Sequence, residues 1–142
     1  RRNFWEIINH LSGEGITVLV TTHFLDEAEY CNTIILINAG KLIANGTPSE
    51  LKLDHIKYPI LEVATTNVVE ALETIRMQPW AVETSVFGTR LHVMVQNEKE
   101  GTALIQRTLS SKAIEVQGVH RIVPSLEDVF LYLLEHNTPK AN

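Results

Sequence analysis

The sequence predicts an α/β segment followed by a small α+β domain that ends in a helix. Three observations carry this reading. Ile16-Thr17-Val18-Leu19-Val20 is an unbroken, largely β-branched run without polar alternation, the pattern of a strand buried on both faces in a parallel sheet covered by helices. From Ile60 onward the pattern changes to alternation, with Leu61, Val63 and Thr65 and later Leu91, Val93 and Val95 on one side, which marks half-buried strands. Between and after those strands the apolar residues return at helical spacing.

Taken in order, Phe4, Ile7, Ile8 and Leu11 recur at helical spacing before Gly13 and Gly15, so residues 1–12 read as a helix. The buried run 16–20 follows. After His23, Leu25, Ala28 and Glu29 fall on a short helix with Asp26 and Glu27 in its first turn, where the helix dipole favours acids. Ile34-Ile35-Leu36-Ile37 and Lys41-Leu42-Ile43-Ala44 flank Asn38-Ala39-Gly40, the pattern of a β-hairpin. Thr47-Pro48-Ser49-Glu50 is a capping box opening a short helix, with proline at its first position. Residues 55–59 read as a linker.

Beyond the linker, Val68, Ala71, Leu72 and Ile75 mark a helix closed near Pro79. Val82, Thr84 and Val86 form a strand, and Phe87-Gly88-Thr89-Arg90 a tight turn into the strand Leu91–Val95. Leu104, Ile105, Thr108 and Leu109 mark a second helix, and Ile114, Val116 and Val119 a fourth strand with a bulge at Gly118. The order strand, helix, strand, strand, helix, strand is the ferredoxin-like βαββαβ arrangement. A last helix starts at Ser125, with Asp128 completing a second capping box, and buries Leu126, Val129, Phe130, Leu133 and Leu134. Residues 137–142 read as a frayed tail. The domain reading is therefore 1–54, linker 55–59, 60–136, and tail.

Composition narrows the function classes. With 44% hydrophobic and 20% charged residues, a packed fold is expected rather than disorder. A net charge of −5 disfavours nucleic acid and an anionic membrane surface as partners. No apolar run reaches the roughly 20 residues of a membrane span. The single cysteine, Cys31, rules out an internal disulfide and a multi-cysteine metal cage; it reads as a small core residue. No metal site is expected, since the six histidines show no H-x-H or H-x-x-x-H spacing. The chain opens inside an amphipathic helix with no leader-like run, which suggests upstream sequence and no signal peptide.

The sharpest constellation is I-T-V-L-V-T-T-H-F-L-D-E-A-E-Y-C, Ile16 to Cys31. A histidine just after a buried parallel strand sits at the strand's carboxyl end, where open α/β sheets place their ligand crevices. Its ring can donate a hydrogen bond to a phosphate oxygen as charge develops there.

These residues resemble the end of an ABC-type nucleotide-binding domain. R-R-N-F-W-E-I-I is similar to the helix after the D-loop. V-L-V-T-T-H-F-L-D-E-A-E-Y-C is similar to the H-loop strand, switch histidine and following helix. I-I-L-I-N-A-G-K-L-I-A-N-G-T-P-S-E-L is similar to the closing hairpin and short helix. The resemblance covers roughly residues 1–51, and Cys31-Asn32-Thr33 departs from the common Cys-Asp-Arg. It implies that His23 is the switch histidine, contacting the γ-phosphate of ATP and positioning the attacking water. It also implies ATP and Mg2+ as ligands of a full-length parent.

No G-x-x-x-x-G-K-[ST] phosphate loop, glutamine loop, L-S-G-G-Q signature or strand ending in Asp-Glu is present. The backbone cradle and the magnesium-holding acids are then missing. The fragment alone is expected to be inactive and to bind no cofactor. Residues 60–136 resemble the accessory C-terminal domain of bacterial ABC-2-type drug- and antibiotic-exporter ATPases, on P-S-L-E-D-V-F-L-Y-L-L near the end. That resemblance implies a membrane-spanning permease and a second nucleotide-binding domain as partners, at the cytoplasmic face of the membrane, with ATP hydrolysis driving export.

Three further expectations concern surfaces. The sheet face carrying Glu62, Glu83, Ser85, His92, Gln96, Glu115 and Gln117 reads as solvated, or as a docking surface. An uncovered strand at 16–20 predicts a homodimer or segment-swapped oligomer of the fragment. The alternative function is an independent regulatory, dimerisation or small-ligand-binding module of ferredoxin-like fold.

Overall fold

A computed structural model describes residues 2–136; Arg1 and the tail expected at 137–142 lie outside the described residues. The chain begins with α1 (Arg2–Gly13) and, after an irregular stretch, the single-turn α2 (Leu25–Ala28). Next come the hairpin β1 (Ile34–Asn38) and β2 (Lys41–Gly46), then α3 (Pro48–His55). The remainder runs β3 (Ile60–Thr65), α4 (Val68–Arg76), β4 (Ala81–Phe87), β5 (Arg90–Val95), α5 (Glu98–Ser111), β6 (Val116–Ile122) and α6 (Leu126–His136).

Local chemistry explains most boundaries. Thr47 Oγ1, Asn67 Oδ1, Asn97 Oδ1 and Ser125 Oγ each accept from the backbone N–H three residues on, at Glu50, Glu70, Glu100 and Asp128, over 2.9–3.2 Å. Each side chain thereby satisfies one of the orphan donors at a helix start. In the β1–β2 turn both Ala39 (φ 52°) and Gly40 (φ 75°) are left-handed, which matches the twist of a two-residue hairpin.

One expected element does not form. Residues 16–20 carry neither strand nor helix, and Ile16 and Leu19 are 48% and 92% exposed. A strand reading as buried needs neighbours to supply its ladder and cover its faces. No strand of the described residues pairs with this run, so its apolar side chains are left exposed or only partly buried.

β3 to β6 form a four-stranded sheet in the order β4-β5-β3-β6, with every neighbouring pair antiparallel. On one face Leu61, Val63, Leu91, Val93 and Val95 pack against Ala71 and Ile75 of α4 and Ile105 and Leu109 of α5. On the other, Ile60 and Met94 join Leu126, Val129 and Leu133 of α6 and Ala28, Ile34, Leu36, Ala44, Leu51 and Ile56 from the segment before β3. The central strands are therefore covered on both faces, not one. β5 is buried from Leu91 to Val95, so the alternation in its sequence marks two different cores. The β6 irregularity falls one residue before Gly118, because Ala64 pairs with Gly118 and Thr65 with Val116, leaving Gln117 as the extra residue.

Gly101, in the first turn of α5, lies close against Val95 of β5. A Cβ there would lie 2.6 Å from Val95 Cγ2 and 2.9 Å from Val95 Cβ. Gly101→Ala gains about 1 kcal/mol of helix propensity. Overpacking against the β-branched Val95 costs about 1–3 kcal/mol. The clash should dominate because Val95 has no space to retreat, so urea denaturation is expected to show a less stable variant.

Candidate functional site

Two groups of polar side chains stand out in the fold. The first surrounds His23. The residues before it form no regular element and are exposed or partly buried, and His23 stands at a bend just ahead of α2. Its ring lies against that of Phe24, with centroids 4.6 Å apart. Thr22 Oγ1 accepts from Phe24 N–H (3.0 Å) and donates to Glu27 Oε2 (3.2 Å). The backbone on either side of His23 is thus fastened to the single turn that follows. The imidazole itself is exposed, free to meet a ligand. The expected placement at a strand's carboxyl end is not reproduced, because that strand does not form here.

The second group lies on the sheet face that the sequence predicts to be solvated or a docking surface, and α6 of the same chain covers part of it instead. His92 is 8% and Asp128 6% exposed. The face is closed by α6, whose apolar side needs a surface to bury against. Register alone sets Glu62 of β3 between two histidines, His92 on β5 and His120 on β6. His92 Nδ1 lies 2.8 Å from Asp128 Oδ1 and Nε2 lies 3.0 Å from Glu62 Oε2. Glu62 Oε1 also accepts from Arg90 Nη1 (3.0 Å), with His120 Nε2 at 3.6 Å. The ring of Phe87 stacks on His92, centroids 3.9 Å apart and planes 13° from parallel. Gln96, Glu115 and Gln117 remain exposed.

An imidazole facing carboxylates from both nitrogens satisfies them as the imidazolium, with both N–H groups donating. Burial pushes the His92 pKa down; the hydrogen bonds and charges of Asp128 and then Glu62 outweigh it and hold it above the ordinary value. For Glu62, burial pushes upward, while His92 and Arg90 together hold the carboxyl below its usual range. The aromatic face of Phe87 suits a cation.

A raised histidine pKa stabilises the fold fully below the unfolded value near 6.5 and loses that contribution as pH rises through the folded value. The stability gap between the chain and its His92→Gln variant should therefore be greatest near pH 6, at about 1.5–3 kcal/mol for charge-assisted hydrogen bonds, and should narrow at alkaline pH. Urea titrations across that range check it.

Asp128 belongs to two structures at once. Its Oδ2 accepts from Ser125 N–H and Ser125 Oγ, each at 2.9 Å, and its Oδ1 faces His92. The capping box that starts α6 is also the link that fixes α6 to the sheet. Sequence reasoning found the capping role and missed the histidine. The available signal was α6 itself: a helix burying Leu126, Val129 and Leu133 needs a second sheet face to cover. Glu29 was missed as well. Its Oε1 accepts from Leu126 N–H (3.0 Å) and its Oε2 from Lys52 Nζ (2.8 Å), and nothing local in the sequence marks a partner 97 positions away.

Cys31 is partly buried beside the core shared by α2, the hairpin and α6. Burial pushes its thiol pKa up, which suits a packing role over a reactive thiolate. Among the described residues no group of three His, Cys, Asp or Glu side chains is arranged to hold a metal ion. A magnesium nucleotide needs a cradle of amides and carboxylates, to which His23 would contribute one donor. No helix among the described residues is long and apolar enough to cross a membrane.

No protein-family model matches the chain. Relatives are nonetheless clear. Over 97% of its length the chain is 34% identical to the daunorubicin resistance ATP-binding protein DrrA2 of Streptomyces coeruleorubidus, covering 44% of that protein. It is 30% identical over 94% of its length to the Nod factor export ATP-binding protein I of a Rhizobium species, covering 41% of it. A 52-residue stretch is 62% identical to the probable multidrug ABC transporter ATP-binding protein YbhF of Escherichia coli. The chain belongs to the ABC-transporter ATP-binding proteins. It spans less than half the length of these relatives, 9% in the case of YbhF. As in the relatives that align along nearly all of it, one ABC ATP-binding sequence runs through both the His23 segment and the four-stranded sheet.

Proposed function

We propose that this chain is the H-loop end of an exporter's nucleotide-binding domain together with its accessory domain, and that His23 is the switch histidine of the ATPase. The observation that carries the reading is the run Thr21-Thr22-His23-Phe24-Leu25-Asp26-Glu27-Ala28-Glu29, with an exposed imidazole held between residues fastened to α2. Alignment of 97% of the chain with a daunorubicin resistance ATP-binding protein supports it.

In this reading residues 1–54 complete the nucleotide-binding domain, 55–59 connect, and 60–136 form a ferredoxin-like accessory domain. The antiparallel order β4-β5-β3-β6 with α4 and α5 on one face supports that last assignment. ATP and its magnesium are substrates of the whole subunit, with the phosphate cradle and metal ligands supplied by sequence beyond this chain. His23 donates a hydrogen bond to the γ-phosphate as charge develops there, which lowers the barrier only in the transition state. The subunit pairs with a second nucleotide-binding domain and a membrane-spanning permease at the cytoplasmic face, and hydrolysis drives export.

The exposed Ile16, Leu19, Ile35, Ile37 and Leu42 support a covering partner for the first layer. In the subunit that partner is the rest of the nucleotide-binding domain; the isolated chain covers these residues by dimerising or by exchanging segments.

The test is magnesium-dependent phosphate release, measured for this chain by itself and for the subunit that contains it. Turnover by the subunit and none by the chain is the expected result. Turnover by the chain, or an inert subunit, contradicts the reading.

A further inference from the structure

α2 is one turn long, too short to hold its own geometry by backbone hydrogen bonding. Yet it anchors both flanks of His23: Phe24 O accepts from the N–H groups of Glu27 (3.0 Å) and Ala28 (3.4 Å), and Thr22 Oγ1 donates to Glu27. Something outside the turn must fix it. Ala28 is buried in the core that includes Leu126 and Val129 of α6. Glu29, which caps α2, reaches α6 with one carboxylate oxygen and α3 with the other.

The bond to α6 has the stronger physical basis. Leu126 is the first residue of that helix, and its N–H has no intrahelical acceptor. A carboxylate there satisfies the donor and sits at the positive end of the helix dipole. α6 is in turn fixed to the sheet through Asp128, His92 and Glu62. A continuous set of short contacts therefore runs from the His23 bend through α2 and Glu29 to α6 and the four-stranded sheet.

We propose that Glu29 is a positioning residue that holds the His23 bend through its hydrogen bond to the start of α6, so that the placement of α6 sets the placement of the histidine. This rests on the reading of His23 as the ATPase switch histidine. Glu29 touches no substrate. It acts through α2, and it makes the C-terminal helix a determinant of turnover. Lys52 neutralises the second carboxylate oxygen and contributes less, because its ammonium is partly solvated.

The experiment uses the subunit that contains this chain, with magnesium ATP as the probe. Glu29→Ala is expected to lower kcat about tenfold with little change in KM, because the lost interaction acts in the transition state and the nucleotide's main contacts lie elsewhere. Glu29→Gln keeps an oxygen acceptor for Leu126 N–H and is expected to restore most of the rate; Lys52→Met should stay near the parent. If Glu29→Ala does not fold, Glu29→Asp, whose arm is one methylene shorter, carries the same comparison. On this chain itself, Glu29→Ala should shift the His23 ring resonances and speed amide exchange at Leu126.

His23→Ala in the same subunit separates the two ideas. If it abolishes turnover while folded Glu29→Ala keeps the parental kcat, the proposal is overturned and the functional reading stands. If Glu29→Gln falls as far as Glu29→Ala, the α6 bond is not the cause and the proposal is again overturned. If His23→Ala turns over normally, the functional reading fails, and this proposal with it.

Discussion

Replacing Asp128 by alanine is expected to destabilise the chain by about 3–5 kcal/mol, the range for removing one partner of a buried ion pair. Three losses coincide at this side chain. Ser125 N–H and Oγ lose their acceptor at the start of α6. His92, 8% exposed, loses the partner of its Nδ1 and keeps only Glu62. The end of α6 that also receives Glu29 is then less well held. A cap by itself accounts for about 1 kcal/mol, so a larger loss identifies the histidine link as the main term. A double-mutant cycle with His92→Gln, followed by urea denaturation near pH 6, should give a coupling well above the few tenths of a kcal/mol of independent sites. Additive effects, or a loss of only a cap's size, would show that α6 is held by apolar packing and that the buried pair is incidental.

How much of this was legible in the sequence depended on whether the signal was local. The capping residues Thr47 and Ser125 were found because a cap and the backbone N–H that donates to it lie three positions apart. The hairpin, its loop expected at Asn38-Ala39-Gly40 and formed by Ala39-Gly40, and the order of strands and helices from Ile60 were legible for the same reason. Periodicity misled where one strand serves two cores. Leu91, Val93 and Val95 alternate with His92 and Met94, and a histidine on the minor face looks solvent-facing until a helix 36 positions away covers it. At Ile16–Val20 the pattern describes a strand whose burial depends on neighbours that the described residues do not supply. The reading of His23 rests on its surrounding residues in the sequence, not on its geometry. Glu29 was invisible because its acceptor role spans 97 positions of the chain.

The effect expected to be largest on activity is that of His23→Ala. In the proposed reading the exposed ring, at a bend with both flanks fastened to α2, donates to a phosphate oxygen when the surrounding structure delivers one. A donor aimed at developing charge contributes little to ground-state binding and much to the transition state. Its removal typically costs about 10²–10³ in kcat. Nucleotide affinity should change little, since one exposed imidazole is a small part of what holds a triphosphate. The measurement is magnesium-dependent ATP turnover and ATP affinity of the subunit containing this chain, with and without His23→Ala. A loss of turnover of about 10²–10³ with affinity preserved is the predicted result; parental turnover in a folded His23→Ala subunit would contradict the assignment on which the account rests.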